Sequence, residues 1–316
     1  MNTSEHALAD IESLHLDSPH WFKDCFALPR ESGYVTVAGT DIHYLRWGNP
    51  ALPGVLMTHG FMAHARCWAF IAPLLAERFC LVAFDLSGMG DSGWRDKYNV
   101  EMRAQECQAV AQAAGLTTDG RRPALVCHSF GGSVGLAAAE AYPDVWRSIL
   151  ICDMSMLAPG ETSQFMQDRQ RMENRAVRPH RISTDFAEVR QRFRLAPDQP
   201  CANEFLLEYM AWHSVQAVEG GFVWKFDPKI MGPDNERDLD WFQSIAPRFA
   251  HLDLPRAIIY GQHSIMMSDK ARAYMAAETG GTVPMVKIHD AHHHLMLDQP
   301  LAFAAAIDAL LQSMSG

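Results

Sequence analysis

The sequence contains no long run of apolar residues and has little positive charge. No window approaches the roughly 18 consecutive apolar residues that a membrane-spanning helix needs, so we expect no association with a membrane. Lysine and arginine total 27, against 37 aspartate and glutamate residues, which gives a formal net charge of −10. This charge repels a nucleic-acid backbone or an anionic membrane surface, so we predict neither kind of partner.

The seven cysteines lack the spacing of a metal site or a redox pair. Neither CxxC nor a Cys/His zinc pattern occurs, and Cys80, Cys127 and Cys152 lie in apolar, strand-like runs where cysteine serves as a small buried hydrophobe. Residues 1–16 carry acidic side chains where a secretion signal has basic ones. These features predict a cytoplasmic protein without a structural metal or a secretion signal.

The length and the order of the apolar runs predict an α/β fold. The 316 residues are enough for one large α/β domain with an insertion. A hairpin of alternating residues precedes short, continuously apolar runs separated by helical patterns, as in a mostly parallel sheet covered on both faces. The predicted strands are residues 34–38, 42–47, 54–58, 80–84, 124–127, 148–152, 257–260 and 284–288, and the predicted helices are residues 66–77, 99–115, 132–141, 268–278 and 300–312.

The alternation of strands and helices stops after residue 153. A stretch of about 85 residues follows, which is too long for a loop in a compact domain. We therefore predict an N-terminal extension (residues 1–32), an α/β core (33–153 and 239–316) and a helical cap (154–238) over one end of the sheet. The helical patterns of the cap are residues 163–176, 186–193 and 202–216.

The strongest chemical signal is Ser129, which lies between an apolar run and a helical pattern. Its neighbours are small, with Cys127 two positions before it and Gly131 and Gly132 after it. A nucleophile on a strained turn between strand and helix needs such neighbours, because bulk there collides with the adjoining backbone. The alternative is a chance serine in such a turn, and Cys127 replaces the glycine that is usual at its position.

Two loops supply candidates for the other chemical roles. Acyl transfer needs two preorganised donors for the developing oxyanion, and the backbone N–H groups of Phe61 and Phe130 are the candidates. The consecutive histidines His292, His293 and His294 follow the last predicted strand, where a general base is expected. Three adjacent histidines could also bind a metal, but they lack a carboxylate or cysteine partner with ligand spacing.

Four segments together resemble the α/β-hydrolase family over essentially all of residues 33–312. They are HGF at 59–61, DLSGMGDS at 85–92, CHSFGG at 127–132 and HHLMLDQP at 293–300. In the family the catalytic histidine stands five residues before the acidic residue of the closing motif, which here is Asp298. The resemblance therefore implies His293 as the base, rather than His292 or His294, in an eight-stranded, mostly parallel sheet with helices on both faces.

The acidic partner of the histidine departs from the common family pattern. Family members commonly carry aspartate three residues after the glycine that ends the seventh strand, where this chain has Ser264. A neutral hydroxyl cannot stabilise an imidazolium as a carboxylate does. Some members carry the acid at the end of the sixth strand instead, which implies Asp153 here. The alternatives are Asp269 as the acid, or Asp153 as a cap at the end of its strand with the histidine held by another group.

The resemblance implies a serine hydrolase that cleaves a carboxylic ester or a related acyl bond without a cofactor. Ser129 would be the nucleophile, His293 the base and Asp153 the acid of its triad. Lactones, thioesters and the carbon–carbon bonds of vinylogous diketones are further substrates of this class. A cofactor-free oxygenase or lyase on the same fold and a non-catalytic binder of small ligands are the alternatives from other classes.

Methionine and aromatic residues predict an adaptable apolar pocket for the substrate. The candidates are Met62, Met154, Trp212 and Met266, and the alternative for these side chains is ordinary packing. We expect a small, apolar, ester-like substrate and a monomer or homodimer.

Overall fold

A sheet of eight strands runs through the centre of the computed structural model, which describes residues 18–158, 161, 178–231 and 244–314. Its strands are β1 (Glu31–Val37), β2 (Thr40–Trp47), β3 (Gly54–Thr58), β4 (Cys80–Phe84), β5 (Ala124–His128), β6 (Ser148–Cys152), β9 (Arg256–Gly261) and β10 (Met285–Ile288). They lie in the spatial order β1-β2-β4-β3-β5-β6-β9-β10. β2 pairs antiparallel with β1 and β4, and the remaining pairs are parallel, so the predicted sheet is confirmed.

The four central strands, β3 to β6, are buried at every position. Helices cover both faces of a parallel sheet, so a strand inside it has no polar face and its sequence is continuously apolar. This explains why the bounds of β3, β4 and β6 equal the predicted ones. Parallel strands also present their carboxyl ends at one edge, where Ser129 and Asp153 follow β5 and β6 directly.

The helices largely follow the predicted pattern. They are α1 (His20–Ala27), α2 (Val100–Ala113), α3 (Phe130–Ala141), α4 (Phe186–Arg192), α5 (Glu204–His213), α6 (Ile245–His251), α7 (Asp269–Glu278), α8 (Leu295–Asp298) and α9 (Pro300–Ser313). The predicted helix over residues 66–77 is wrong, because the chain forms two short 3-10 turns there, Ala65–Trp68 and Ala72–Leu75. Pro73 lies inside that segment and lacks the N–H group that a helix interior requires. No described helix is long and apolar enough to cross a membrane.

The segment predicted as a helical cap is helical only in part. Helices α4 and α5 lie in it, but α5 ends at His213, three residues before the predicted end. The chain then forms an antiparallel hairpin of β7 (Val215–Val218) and β8 (Gly221–Trp224), whose turn includes Gly220 at a φ of 85°. A positive φ favours glycine, which explains why the hairpin turns there. The predicted helix over residues 163–176 lies outside the described residues.

The N-terminal helix α1 connects the cap segment to the core. Phe22 is fully buried, and its ring lies 5.0 Å from that of Phe205 and 5.7 Å from that of Tyr209, both on α5. The ring of Phe70, from the core, lies 5.9 Å from Phe22 and 5.7 Å from Tyr209. Such tilted and edge-to-face aromatic pairs add to the free energy of burial. The cluster therefore fixes α5 against the α/β core.

Candidate active site

Ser129 occupies a strained turn between β5 and α3. Its φ of 53° and ψ of −123° cost a residue with a Cβ about 1–3 kcal/mol. Two backbone hydrogen bonds hold the turn: the N–H of Ser129 donates to the carbonyl of Cys152 at 2.9 Å, and its carbonyl accepts from Gly132 N–H at 2.8 Å. Ser129 lines a cavity, so the side chain of the predicted nucleophile lies where a ligand can reach it.

The small residues around Ser129 are needed because neighbouring chains approach closely. A Cβ at Gly131 would lie 2.5 Å from Thr58 Oγ1, which is shorter than any normal contact. The unusual Cys127 fits for a related reason, since a Cβ at Gly135 would lie 2.3 Å from the Cys127 sulfur. Glycine at position 135, on the first turns of α3, thus leaves the room that the cysteine side chain occupies. Burial raises the pKa of the Cys127 thiol to about 12, so this thiol stays protonated.

The structure brings His293 and Asp153 together in the interior. His293 Nδ1 lies 3.8 Å from Asp153 Oδ2, and the two side chains are 2% and 0% exposed. Asp153 directly follows β6, with a φ of 53°, and its N–H donates to the carbonyl of Ile259 on β9 at 2.8 Å. Burial raises the pKa of the Asp153 carboxyl, while the His293 imidazole and the Ser264 hydroxyl lower it.

The ring of His128 packs against His293 and hydrogen-bonds to its backbone. Its Nε2–H donates to the carbonyl oxygen of His293 at 3.0 Å, and the two ring centroids lie 4.8 Å apart. Burial, followed by the nearby His293, lowers the pKa of His128 to about 3. His128 is therefore neutral near pH 7 and packs against His293.

The two histidines beside His293 have different environments. His292 N–H donates to Asp298 Oδ2 at 2.6 Å, so the acidic residue of the closing motif holds the histidine loop from within α8. His294 N–H donates to Gln199 Oε1 at 2.9 Å, and its side chain lines the cavity. Burial of its ring lowers the pKa of His294 well below the ordinary value, and His293 adds to the effect. The His292 side chain lies 3.4 Å from Asp298, whereas the His294 ring lies next to those of His293 and His128, at centroid distances of 4.9 and 5.8 Å.

Among the described residues, the group with metal-ligand spacing is His43, Asp85 and Asp91. The Asp85 carboxylate already accepts three hydrogen bonds, from His43 Nδ1 at 2.7 Å, Ala65 N–H at 2.6 Å and Asp91 N–H at 3.0 Å. Asp91 pairs with Lys225 at 2.6 Å. Burial alone would raise the pKa of Asp85, but the hydrogen bond from His43 holds it below the ordinary value. These bonds tie the loop after β4 to the loop after β3.

The two residues that carry the predicted oxyanion donors contact each other through their side chains, and Phe61 lines the cavity. Phe61 belongs to the loop after β3, Phe130 follows Ser129, and their rings make an edge contact with centroids 5.3 Å apart. His59 fixes the first of these loops, because its Nδ1–H donates to the carbonyl of Gly60 at 2.7 Å and its Nε2 accepts from Leu86 N–H at 3.0 Å. The fold thus brings together the two backbone segments that the sequence analysis selects.

Ser129 and His293 line one cavity. Its polar lining includes Ser129, His293, His294 and Ser214, while most of the remaining wall is apolar. The mainly apolar side chains of the wall come from the loops after β3 and α4, from α5 and from α8: Phe61, Met62, Phe193, Leu195, Met210, Met296 and Leu297. Such a lining suits a small, largely apolar molecule.

A family model for the alpha/beta hydrolase family matches residues 55–306. The chain belongs to the alpha/beta hydrolase family. A serine hydrolase-like protein of Mus musculus is 22% identical over 299 residues, which cover 85% of this chain and 91% of that protein. The monoacylglycerol lipase abhd6-A of Xenopus laevis is 31% identical over 84% of this chain and 77% of its own length. A solved E-2-(acetamidomethylene)succinate hydrolase superposes with a TM-score of 0.73 at 21% identity, covering 90% of this chain and all of the other.

Family membership confirms the predicted fold and the prediction that the chain is a hydrolase. The matched segment includes the turn at Ser129, Asp153 and the loop that carries His293. The structural neighbour shares the fold at an identity too low to carry a substrate over to this hydrolase.

The pocket prediction for this hydrolase fails at three of its four residues. Met62 lines the cavity, whereas Met154, Trp212 and Met266 do not. Met154 packs beneath α3, where a Cβ on Gly132 would lie 2.7 Å from its sulfur. Met266 is 3% exposed beside Ser264.

The choice between two residues of α5 shows why the pocket prediction fails. Met210 lines the cavity, while Trp212, two positions later, packs within the cap segment against Phe186 at 4.9 Å and Phe222 at 6.4 Å. Residues two apart on a helix point about 200° away from each other, so only one of the two can face the site. The lining residues Phe193 and Leu195 follow α4 in a stretch without a helical period, and no sequence pattern marks them.

Proposed function

We propose that this hydrolase cleaves a carboxylic ester, or a related acyl bond, of a small apolar molecule through Ser129, His293 and Asp153. One observation carries the proposal. Ser129, on its strained turn, lines the same cavity as His293, and His293 Nδ1 faces the buried Asp153 carboxylate. A nucleophile, a base and an oriented acid in this order are the parts that acyl transfer requires.

In this mechanism Ser129 Oγ attacks the substrate carbonyl while His293 Nε2 accepts the hydroxyl proton. The backbone N–H groups of Phe61 and Phe130 stabilise the oxyanion of the tetrahedral intermediate. His293 then returns the proton to the leaving alcohol, and a water molecule hydrolyses the acyl-enzyme by the same route. Asp153 keeps the proton of neutral His293 on Nδ1 and stabilises the imidazolium that forms.

The cavity supports an apolar substrate. Its wall is built mainly from aromatic, leucine and methionine side chains, and the histidines His128 and His294, which also line it, are neutral near pH 7. The Xenopus relative carries the name of a lipase that acts on monoacylglycerol, which is an ester. An apolar acyl chain in the cavity and the ester carbonyl beside Ser129 satisfy both observations.

Covalent labelling tests the nucleophile directly. A fluorophosphonate probe should add one label to the native protein at Ser129 and none to Ser129→Ala, as read by intact mass and peptide mapping. Ser313→Ala, a serine on α9, is the matched control and should label fully. A native protein that stays unlabelled under conditions that label a known esterase would contradict the acyl-enzyme and favour an oxygenase, a lyase or a non-catalytic binder.

A further inference from the structure

Ser264 stands where many family members carry the acid, and it contacts Asp153 directly. Its Oγ lies 2.7 Å from Asp153 Oδ1, and the residue is 9% exposed. Ser264 Oγ also accepts hydrogen bonds from two backbone N–H groups, that of Met266 at 3.0 Å and that of Met267 at 3.5 Å. The hydroxyl is therefore a member of a buried hydrogen-bond network rather than a solvated loop group.

The partners of Ser264 determine where its hydroxyl hydrogen points. A serine hydroxyl has one hydrogen to donate and two lone pairs to accept with. The N–H groups of Met266 and Met267 can only donate, and an ionised Asp153 can only accept. The hydrogen therefore points to Asp153 Oδ1, and the oxygen has no second hydrogen with which to contact another acceptor.

We propose that Ser264 is a positioning residue that fixes the Asp153 carboxylate by occupying Oδ1, so that Oδ2 is left for His293. This inference rests on the proposed function for the role of the His293–Asp153 pair. Asp153 Oδ2 has no hydrogen-bond partner among the described residues, and His293 Nδ1 lies 3.8 Å from it. The acid of this hydrolase is then built from two strands, with the carboxylate after β6 and its donor after β9.

The end of β9 is shaped to bring these groups together. A Cβ at Gly261 would lie 2.2 Å from the carbonyl oxygen of His292 and 2.5 Å from that of Ala291. Only glycine at position 261, three residues before Ser264, leaves room for the loop that carries His292 to pack against β9. The Gly261 backbone also lowers the pKa of Asp153 by hydrogen bonding.

The charges around Asp153 give the hydrogen bond from Ser264 a measurable effect. The titratable group that faces the carboxylate is His293, and the His128 and His294 rings next to it are neutral because burial lowers their pKa values. Burial raises the pKa of Asp153, and Ser264 is among the groups that oppose this rise. Without the hydroxyl, the ionised Asp153 carboxylate loses a hydrogen-bond donor, so the Asp153 carboxyl should bind a proton more tightly.

Ser264→Ala is the test, with Ser264→Thr as the variant that keeps a hydroxyl. We expect Ser264→Ala to lower kcat and the fluorophosphonate labelling rate about 10-fold with little change in KM, as for one lost hydrogen bond to a charged group. Ser264→Thr should retain most of the activity, and the melting temperatures should show that the variants are folded.

A double variant separates positioning from a general structural role. If Ser264 acts through Asp153, adding Ser264→Ala to Asp153→Asn should change kcat by less than about twofold, whereas independent roles give multiplied losses. Multiplied losses, or a folded Ser264→Thr as slow as Ser264→Ala, would each overturn the proposal.

Failure of the proposed function has a different signature. A wild-type protein that neither labels nor turns over esters contradicts the serine hydrolase mechanism and leaves the Ser264 contact to be judged by itself. Carbon-13 NMR titration of the Asp153 carboxyl in the wild type and in Ser264→Ala provides that readout without turnover. A higher carboxyl pKa in the variant supports the proposal, and an equal pKa overturns it.

Discussion

His293 Nδ1 and Asp153 Oδ2 face each other at 3.8 Å, and neither atom has a hydrogen-bond partner elsewhere in the part of the chain that the structure describes. The separation exceeds the roughly 2.7–3.2 Å of an N–H···O hydrogen bond by about half an ångström or more. Catalytic hydrogen bonds of unliganded enzymes are often long and shorten in the complex with substrate. We expect this pair to close when His293 becomes protonated, because opposite charges then attract in a buried site.

Asp153→Asn should lower kcat by up to about 10⁴, because the amide keeps the shape of the carboxylate but removes its charge and can select the wrong imidazole tautomer. Steady-state kinetics with a chromogenic ester measure the loss. Asp269→Asn is the matched control: Asp269 begins α7, pairs with Arg272 and should keep nearly full activity. The opposite ranking would place the acid on α7 and contradict the role of Asp153.

His293→Ala should lower kcat by several orders of magnitude with a small effect on KM, since removing a general base acts on the chemical step. His292→Ala should keep most activity, because His292 contacts Asp298 rather than Asp153. His294→Ala should act mainly on KM, because His294 lines the cavity. Activity should also survive EDTA. An inactive His292→Ala beside an active His293→Ala would show that the assignment of the closing motif is shifted by one residue.

Met210→Ala should shift the preferred substrate to esters with longer acyl chains, by several-fold in kcat/KM, because it enlarges the cavity. Each additional methylene group buried there contributes about 1 kcal/mol or more to binding. Kinetics with p-nitrophenyl esters of increasing chain length measure this preference. Trp212→Ala is the control, since Trp212 lies on the same helix but packs within the cap segment. Equal shifts in both variants would indicate a general loosening of α5.

Gly135→Ala should destabilise the fold by about 1–3 kcal/mol, as expected for overpacking, because its new methyl group would lie 2.3 Å from the Cys127 sulfur. Cys127→Gly should relieve the collision, so the double variant should recover much of the lost free energy of unfolding. Urea denaturation of the wild type, both single variants and the double variant gives this coupling. Additive effects of the two substitutions would contradict the proposed compensation.

The stability of the fold should decrease below about pH 6.5. Burial lowers the pKa of His64 to about 4 and that of His128 to about 3, so the unfolded chain binds protons in this range that the folded chain excludes. For His64 the loss between pH 7 and pH 5 is about 2 kcal/mol. Urea denaturation at pH 7 and pH 5 measures the loss in the free energy of unfolding. In His64→Gln this loss should be smaller than in the wild type by that amount. His263→Gln, which replaces an exposed histidine, is the control and should lose as much as the wild type. Equal pH dependence in wild type and His64→Gln would contradict this assignment.

The sequence by itself determined the parts of the molecule that depend on local pattern. Continuous apolar runs predict β3, β4 and β6 at their observed bounds, because a strand covered on both faces excludes polar residues at every position. The small residues around Ser129 predict its tight turn, since the steric demand acts within a few positions of the chain. The predicted helix over residues 66–77 was wrong because Pro73, inside the helical pattern, lacks the N–H group that a continuous helix requires.

Only the tertiary structure decided which distant side chains meet. Ser264 and Asp153 are separated by 111 positions, and no periodicity shows that their side chains share a hydrogen bond. The sequence pattern does not determine the cavity wall either: Met210 faces the site and Trp212 does not, although both side chains suit an apolar pocket. Composition and spacing act along the chain, whereas the packing of α5 against α1 and Phe70 and the adjacency of β6 and β9 fix these contacts between distant segments.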